Sequence, residues 1–345
     1  FYVYQKDGIT CIVYVHIDDY LVGCSDLAFY QKWLQAYGQY LHDPNDVEDL
    51  GTPRNFMQIA LDITPDSITL SADHYISESL SKYGLQDAST KQRPLPVNGY
   101  DLPLGHEPTC QPTYRAMVGC GMWISRIIRP DVYFGFVYLA SFVSCCTDVH
   151  LEALKHLFRY LKHTSGRCIK YTKSELVSPN TETPSFELTV FTDSDWANDK
   201  TDRKSYSGYL LYLNGALIDW SSKKQSLVAT STGEAEYIAM SMAAKTTLHM
   251  YQLLSEFFIV KDPVNIWTDS TTAETMAKNN INSNRTKHIW IIYRFITDWI
   301  SRGLFKLAHI PGKINPADLL TKVPRDTNYV TLSEQLFSPM SSSYT

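Results

Sequence analysis

The sequence predicts an α/β chain of the α+β multidomain kind, and three observations predict it. β-branched and aromatic runs broken by tight turns open the chain over residues 1–24. Apolar residues then recur at helical spacing over residues 114–163, and beyond residue 186 strand patterns come first as hairpins and then alternate with helices. That last order implies a mixed sheet with helices packed on it.

Taken in order, Lys6-Asp7-Gly8 supplies the first turn and residues 12–15 a β-branched run, after which a second turn carries Ile17-Asp18-Asp19-Tyr20. A helical pattern with Ser25 as N-cap and Asp26 in its first turn runs to Leu41. Residues 56–63 read as a strand, and a second helix over 75–83 stops at Gly84. A proline-rich stretch, 93–112, precedes three helical patterns over 114–128, 131–144 and 148–163, with Gly166 as the stop, and this part reads as all helix. On the third of these, Lys155, Arg159 and Lys162 lie opposite Leu151, Leu154, Phe158 and Leu161. The basic side is a candidate nucleic-acid backbone contact, with a plain solvated face as the alternative.

Residues 174–186, rich in Ser, Thr and Pro, read as a linker and mark the main domain boundary. After it come a strand over 187–193, a hairpin over 206–220 turning at Asn214-Gly215 and a long helix from Ser231. A strand over 264–269 follows, then two helical stretches flanking a last strand over 305–310.

The chain has 345 residues, 44% hydrophobic and 13% aromatic, enough to bury sizeable cores in two or three domains. A net charge of −5 means that any phosphate-binding surface is local rather than global. Seven cysteines without a Cys-x-x-Cys pair make a poor disulfide framework or zinc site, so a reducing, intracellular setting is expected. The longest apolar run, 132–146, falls short of the roughly 20 residues a bilayer-crossing helix needs, so no membrane partner is expected. The opening Phe1-Tyr2-Val3-Tyr4, without Met and already in a strand pattern, is expected to belong to a longer chain.

Four carboxylates sit where a polar side chain interrupts an apolar element: Asp193 and Asp269 at strand ends, Glu236 on a helix and Asp318 near another. A lone aspartate at a strand end is more often a cap or turn residue. Four that converge repel one another unless divalent cations neutralise them, and hard oxygen ligands select magnesium or manganese. Two such ions about 4 Å apart support in-line hydrolysis of a phosphodiester.

The context of these acids decides between the two readings. Phe191-Thr-Asp-Ser-Asp-Trp-Ala197, Asp202-Arg-Lys-Ser-Tyr-Ser-Gly-Tyr209 and Trp220-Ser-Ser-Lys-Lys-Gln225 are followed by Ser231-Thr-Gly-Glu-Ala-Glu-Tyr237 and Trp267-Thr-Asp-Ser270. Arg285-Thr-Lys-His-Ile289 and His309-Ile-Pro-Gly-Lys-Ile-Asn-Pro-Ala-Asp-Leu-Leu-Thr-Lys322 complete the series. In that order they closely resemble the RNase H domain of copia-type retroelements. The resemblance implies a five-stranded RNase H-like sheet in which Asp193, Glu236, Asp269 and Asp318 hold two Mg2+ ions, with Mn2+ able to substitute. Glu234 reads instead as a first-turn acid favoured by the helix dipole. His309 matches the family's mobile histidine, a proton-transfer or product-release group. Arg203, Lys204, Lys223, Lys224, Arg285 and Lys287 are the expected contacts to nucleic acid. The chain departs from the family at Trp290 and Arg294, where an acid and a histidine are usual, which bears on substrate handling by that helix.

The remaining motifs extend the resemblance to nearly the whole chain. Ile17-Asp18-Asp19 resembles the paired-aspartate box of reverse transcriptases, and Phe56-Met-Gln-Ile-Ala-Leu-Asp-Ile63, Arg129-Pro130-Asp131 and Leu157-Phe-Arg-Tyr-Leu-Lys162 continue it downstream. It implies a partial palm at 1–65, thumb and connection at 66–173, the linker, the RNase H domain at 187–325 and a tail at 326–345. Asp18 and Asp19 are then metal ligands for nucleotide transfer, with a further aspartate supplied by an upstream strand. Partners follow as RNA/DNA hybrid, template-primer and the rest of the Pol polyprotein, in cytoplasmic virus-like particles or the nucleus. The alternative is a non-catalytic nucleic-acid-binding remnant of a retroelement. An aspartic protease is disfavoured because neither Asp193-Ser194 nor Asp269-Ser270 is followed by Gly.

Overall fold

A computed structural model describes residues 1–41, 47–96, 102–105, 109, 111–173, 185–197, 199–278, 287–323, 328–338 and 340. The chain opens with β1 (Tyr2–Lys6), β2 (Ile9–His16) and β3 (Asp19–Cys24), an antiparallel sheet in that order. Asp7 and Gly8 take φ of 54° and 77°, the mirror-image turn that suits the twist of a two-residue hairpin. Helix α1 (Leu27–Tyr40) follows. Its N-cap is Asp26 rather than Ser25: Asp26 Oδ1 accepts from Phe29 N at 2.6 Å, while Ser25 Oγ accepts from Thr10 N at 2.9 Å and closes the sheet instead.

The strand expected over 56–63 is a hairpin, β4 (Asn55–Phe56) and β5 (Ile59–Ile63), because Met57 and Gln58 both adopt positive φ and reverse the chain. β6 (Ser67–Ser71) and helix α2 (Asp73–Lys82) come next. Helices α3 (Gln111–Ile127), α4 (Pro130–Ala140) and α5 (Asp148–His163) fill the middle, and β7 (Ile169–Thr172) then returns to the edge of a β4-β5-β6-β7 sheet. The region read as all helix therefore ends in a strand, whose partner lies about a hundred residues earlier in the sequence.

After β8 (Ser185–Phe186), the second half is built on β9 (Leu188–Ser194), β10 (Tyr206–Leu213) and β11 (Ala216–Lys224). Helix α6 (Thr232–Ser255), β12 (Ile259–Val260) and β13 (Val264–Thr268) follow, then α7 (Thr271–Lys278), α8 (Lys287–Ser301) and β14 (Phe305–His309). The main sheet has order β11-β10-β9-β13-β14, antiparallel through the first three strands and parallel from β9 to β14.

Both faces of this sheet are covered, which is why β9 reads as a continuously buried run. Leu188, Val190, Tyr209 and Leu211 pack with Tyr237, Met240 and Ala243 of α6. Phe191, Tyr206, Leu210 and Tyr212 alternate to the opposite face and share one core with α3, α4 and α5. Polar bonds fix that packing. Trp220 Nε1 donates to Ser125 O at 2.8 Å, and Arg126 donates to Trp220 O at 2.8 Å and to Asp219 at 2.6 Å.

Residues 326–345, expected as a tail, include helix α9 (Asn328–Gln335), with Tyr329, Leu332 and Leu336 buried in that same core. Tyr329 Oη donates to Asp131 O at 3.1 Å. The fully buried Arg129 grips Asp131 through two 2.8 Å bonds, and Arg167 adds a third at 2.9 Å. Three donors from two guanidinium groups keep the Asp131 carboxylate charged and satisfied where an unpaired charge would be costly.

Candidate active site

Asp193 lies near the C-terminal end of β9, and Asp269 follows the C-terminal end of the parallel neighbour β13. Adjacent parallel strands that end together deliver side chains to one point, as open α/β sheets do at their ligand sites. Glu236 reaches the same point from the start of α6, and oxygens of Asp193, Glu236 and Asp269 all lie within 4.8 Å of one another. Glu234 turns away and accepts from Thr230 N at 2.6 Å, leaving Glu236 as the carboxylate that joins the cluster.

Asp318 sits on a 3-10 turn, Pro316–Leu320, near Asp193, and is not part of the 4.8 Å group. Lys322 Nζ links it to the cluster, lying 2.9 Å from Asp318 Oδ1 and 3.8 Å from Asp193 Oδ2. Glu236 Oε1 accepts from Ser194 N at 3.1 Å, whereas the buried Oε2 has no hydrogen-bond partner among the described residues. Burial, then the charges of Asp193 and Asp269, push the Glu236 carboxyl well above its ordinary range. Burial and Asp193 raise Asp269 likewise and push Asp318 up to about 8. A buried carboxylate oxygen of this kind among mutually repelling acids is compatible with a divalent cation, and an all-oxygen donor set fits magnesium or manganese.

Several side chains that position the acids went unassigned in the sequence, although they lie inside the motifs quoted above. Asn315, fully buried, donates to Thr192 O at 2.9 Å and accepts from Ala317 N at 3.1 Å, so it pins the Asp318 turn to β9. Thr321 Oγ1 donates to Asp193 Oδ2. Gln225 donates to Ala235 O and Ser207 Oγ, both at 2.9 Å, tying β10 and β11 to the helix start that carries Glu236. Gly208 pairs with Asp193, and a Cβ there would come 2.7 Å from Leu320 Cβ. A Cβ on Gly312 would come 2.7 Å from Asp269 Oδ2. The only sequence signal for these residues was an unbroken motif that no helix or strand period explains.

His309 is the last residue of β14, exposed and paired in register with Thr268. Arg203 and Lys223 are exposed on the side of the sheet where β10 begins and β11 ends. Lys204 lies 3.8 Å from Asp202, and Lys224 is held by Asp199 at 2.5 Å and Asp202 at 3.0 Å. Arg285 and the side chain of Lys287 lie outside the described residues, as does the side chain of Trp290; Arg294 is exposed on α8. The basic stripe of α5 is engaged within the protein. Lys155 pairs with Glu152 at 2.7 Å, Arg159 donates to Ser89 O at 2.5 Å, and Lys162 donates to Ala88 O at 3.0 Å. The Arg159 and Lys162 bonds hold the 86–89 segment, a contact that helical periodicity alone does not reveal.

Asp18 and Asp19 occupy the exposed tip between β2 and β3, next to Ile17 at φ 55°, a strained setting for a β-branched residue. They line a cavity of about 690 Å³ with Tyr30, Trp33 and Tyr37. Among the described residues no third His, Cys, Asp or Glu forms a metal-sized group with them.

A mixed sheet of this order with carboxylates gathered at its parallel strand ends, preceded by an aspartate-tipped hairpin sheet and a helical layer, defines an α/β fold with an acidic site at its strand ends. No protein-family model matches the chain. It is 30% identical to a retrovirus-related Pol polyprotein from transposon TNT 1-94 of Nicotiana tabacum, over 91% of this chain and 23% of that protein. It is 30% identical to the corresponding polyprotein from transposon RE1 of Arabidopsis thaliana, over 93% of this chain and 21% of that protein. Among solved structures it is similar to a foamy viral protease-reverse transcriptase in complex with double-stranded DNA, at 12% identity and a TM-score of 0.47, covering 86% of this chain and 46% of that one. The chain belongs to the retrovirus-related Pol polyproteins of retrotransposons, and it spans about a quarter of the length of these curated relatives.

Proposed function

We propose that residues 187–325 hydrolyse the RNA strand of RNA/DNA hybrids, as the RNase H of a copia-type Pol polyprotein. One observation carries the reading: Asp193, Glu236 and Asp269 converge within 4.8 Å at the ends of β9, β13 and α6, with a buried Glu236 oxygen left unpartnered among the described residues. Asp193, Glu236, Asp269 and Asp318 would hold the divalent ions. Bound there, such ions supply Lewis acidity that ionises a water and steadies the leaving oxygen.

The protein's own residues do the rest. Asn315, Thr321 and Gln225 fix the acids before substrate arrives, which places the electrostatic cost in folding rather than in the reaction. His309, exposed at the end of β14, would move a proton at the rim. Exposed Arg203 and Lys223 hold the hybrid by its backbone, without reading sequence. In the same proposal residues 1–65 form palm and 66–173 thumb and connection. Asp18 and Asp19 then serve nucleotide transfer in the longer polyprotein, together with a carboxylate that is not beside them among the described residues.

The test is a substrate panel. Purified chain with Mg2+ is expected to cut a labelled RNA strand annealed to DNA and to leave single-stranded RNA and double-stranded DNA intact. Equal cutting of all three, or folded protein that binds hybrid without cutting it, overturns the assignment.

A further inference from the structure

The Lys322 ammonium sits inside the acidic cluster. Nζ lies 2.9 Å from Asp318 Oδ1 and 3.8 Å from Asp193 Oδ2, the same Asp193 oxygen that accepts from Thr321. The backbone fixes this placement: Asp318 O accepts from Lys322 N at 3.1 Å, so the turn that presents Asp318 also aims Lys322. The Lys322 side chain keeps 37% of its exposure, so it is not sealed inside the cluster.

We propose that Lys322 is an internal counter-ion that occupies ligand oxygens of Asp193 and Asp318 and must yield them to an incoming divalent cation, so that it sets the concentration at which the site takes metal. The inference rests on the nuclease reading of the same carboxylates and makes Lys322 a positioning residue. In the metal-free protein it offsets the repulsion that would otherwise open the site. When metal enters, one positive charge competes with another for the same two oxygens.

The experiment compares chelator-stripped wild type, Lys322→Met and Lys322→Arg, each as the full chain, by calorimetric titration with Mn2+ and Mg2+ and by thermal unfolding in chelator. Lys322→Met is expected to bind the cations about tenfold more tightly, since a competing charge is removed. It should also unfold at lower temperature in chelator and gain more stability than wild type on adding Mg2+, while Lys322→Arg stays near wild type. Equal or weaker cation binding by Lys322→Met overturns the proposal. If Lys322→Met fails to fold in chelator, recovery in saturating Mg2+ supports the proposal and no recovery overturns it. Absence of cation binding in all three proteins sinks the nuclease reading together with the inference, whereas equal binding in all three sinks the inference alone.

Discussion

Burial and the neighbouring Asp193 carboxylate hold Asp318 up to about 8, and Glu236 and Asp269 shift in the same direction. A carboxyl group raised in this way binds its proton more tightly folded than unfolded. Its contribution to stability is present below the ordinary value near 3.8 and is lost as pH rises through the folded value. The unfolding temperature in chelator should therefore fall between about pH 4 and about pH 8, and excess Mg2+ should flatten the fall; a flat profile in chelator would count against the cluster. Steric contacts give a second residue-scale expectation. Gly312→Ala drives a Cβ against Asp269 Oδ2, and Gly208→Ala drives one against Leu320 and Thr321. Each should cut hybrid cleavage about a hundredfold, a cost typical of misplacing a catalytic group by an ångström, with a much smaller effect on hybrid binding. The acids themselves were legible because the sequence around each is an ordered motif. Asn315, Gln225 and the two glycines were not, since their work is done across the fold, with Asn315 and Thr192 separated by 123 residues.

At the scale of elements, the α4–α5–α9 junction hangs on Asp131, which accepts from Arg129, Arg167 and Tyr160 in a dry core. Arg129→Met leaves that carboxylate short of two bonds and is expected to cost about 3–5 kcal/mol in denaturant unfolding, the range for breaking a buried pair by removing one partner. Tyr329→Phe removes the bonds to Asp131 O and Tyr160 Oη and should cost about 1–2 kcal/mol; no measurable change in either variant would remove the junction from the account. Legibility at this scale followed the period of the pattern. β9, β10 and α5 were readable because apolar residues alternate or recur every third and fourth place along them. β6 and β7 were not, being short, half-polar strands that exist through pairing with each other. The split of residues 56–63 was hidden because Met57 and Gln58, neither a turn former, take the left-handed conformation. α9 escaped because its anchor lies 198 residues away.

For the whole molecule, the sheet that carries the acids borrows one wall of its core from α3, α4 and α5, through Phe191, Tyr206, Leu210, Tyr212 and Trp220. Stripped of that layer these side chains would face water, so the two parts should melt together in one calorimetric transition rather than two. Composition pointed to enough apolar residue for sizeable cores, and it did not reveal that one core runs across the 174–186 segment, because shared burial leaves no mark on local periodicity. The shared core also means that a wound in the helical layer should reach the acids, while a change confined to one carboxylate should not disturb the fold. That asymmetry makes Asp269→Asn the sharpest probe, since it removes a ligand charge at nearly constant volume from a half-buried strand end. The decisive measurement is Mg2+-dependent cutting of the RNA strand of a labelled hybrid by wild type and Asp269→Asn, with thermal unfolding recorded on both. Wild type is expected to cut, and Asp269→Asn to melt at or above the wild-type temperature without cutting. Undiminished cutting by a folded Asp269→Asn would contradict the assignment.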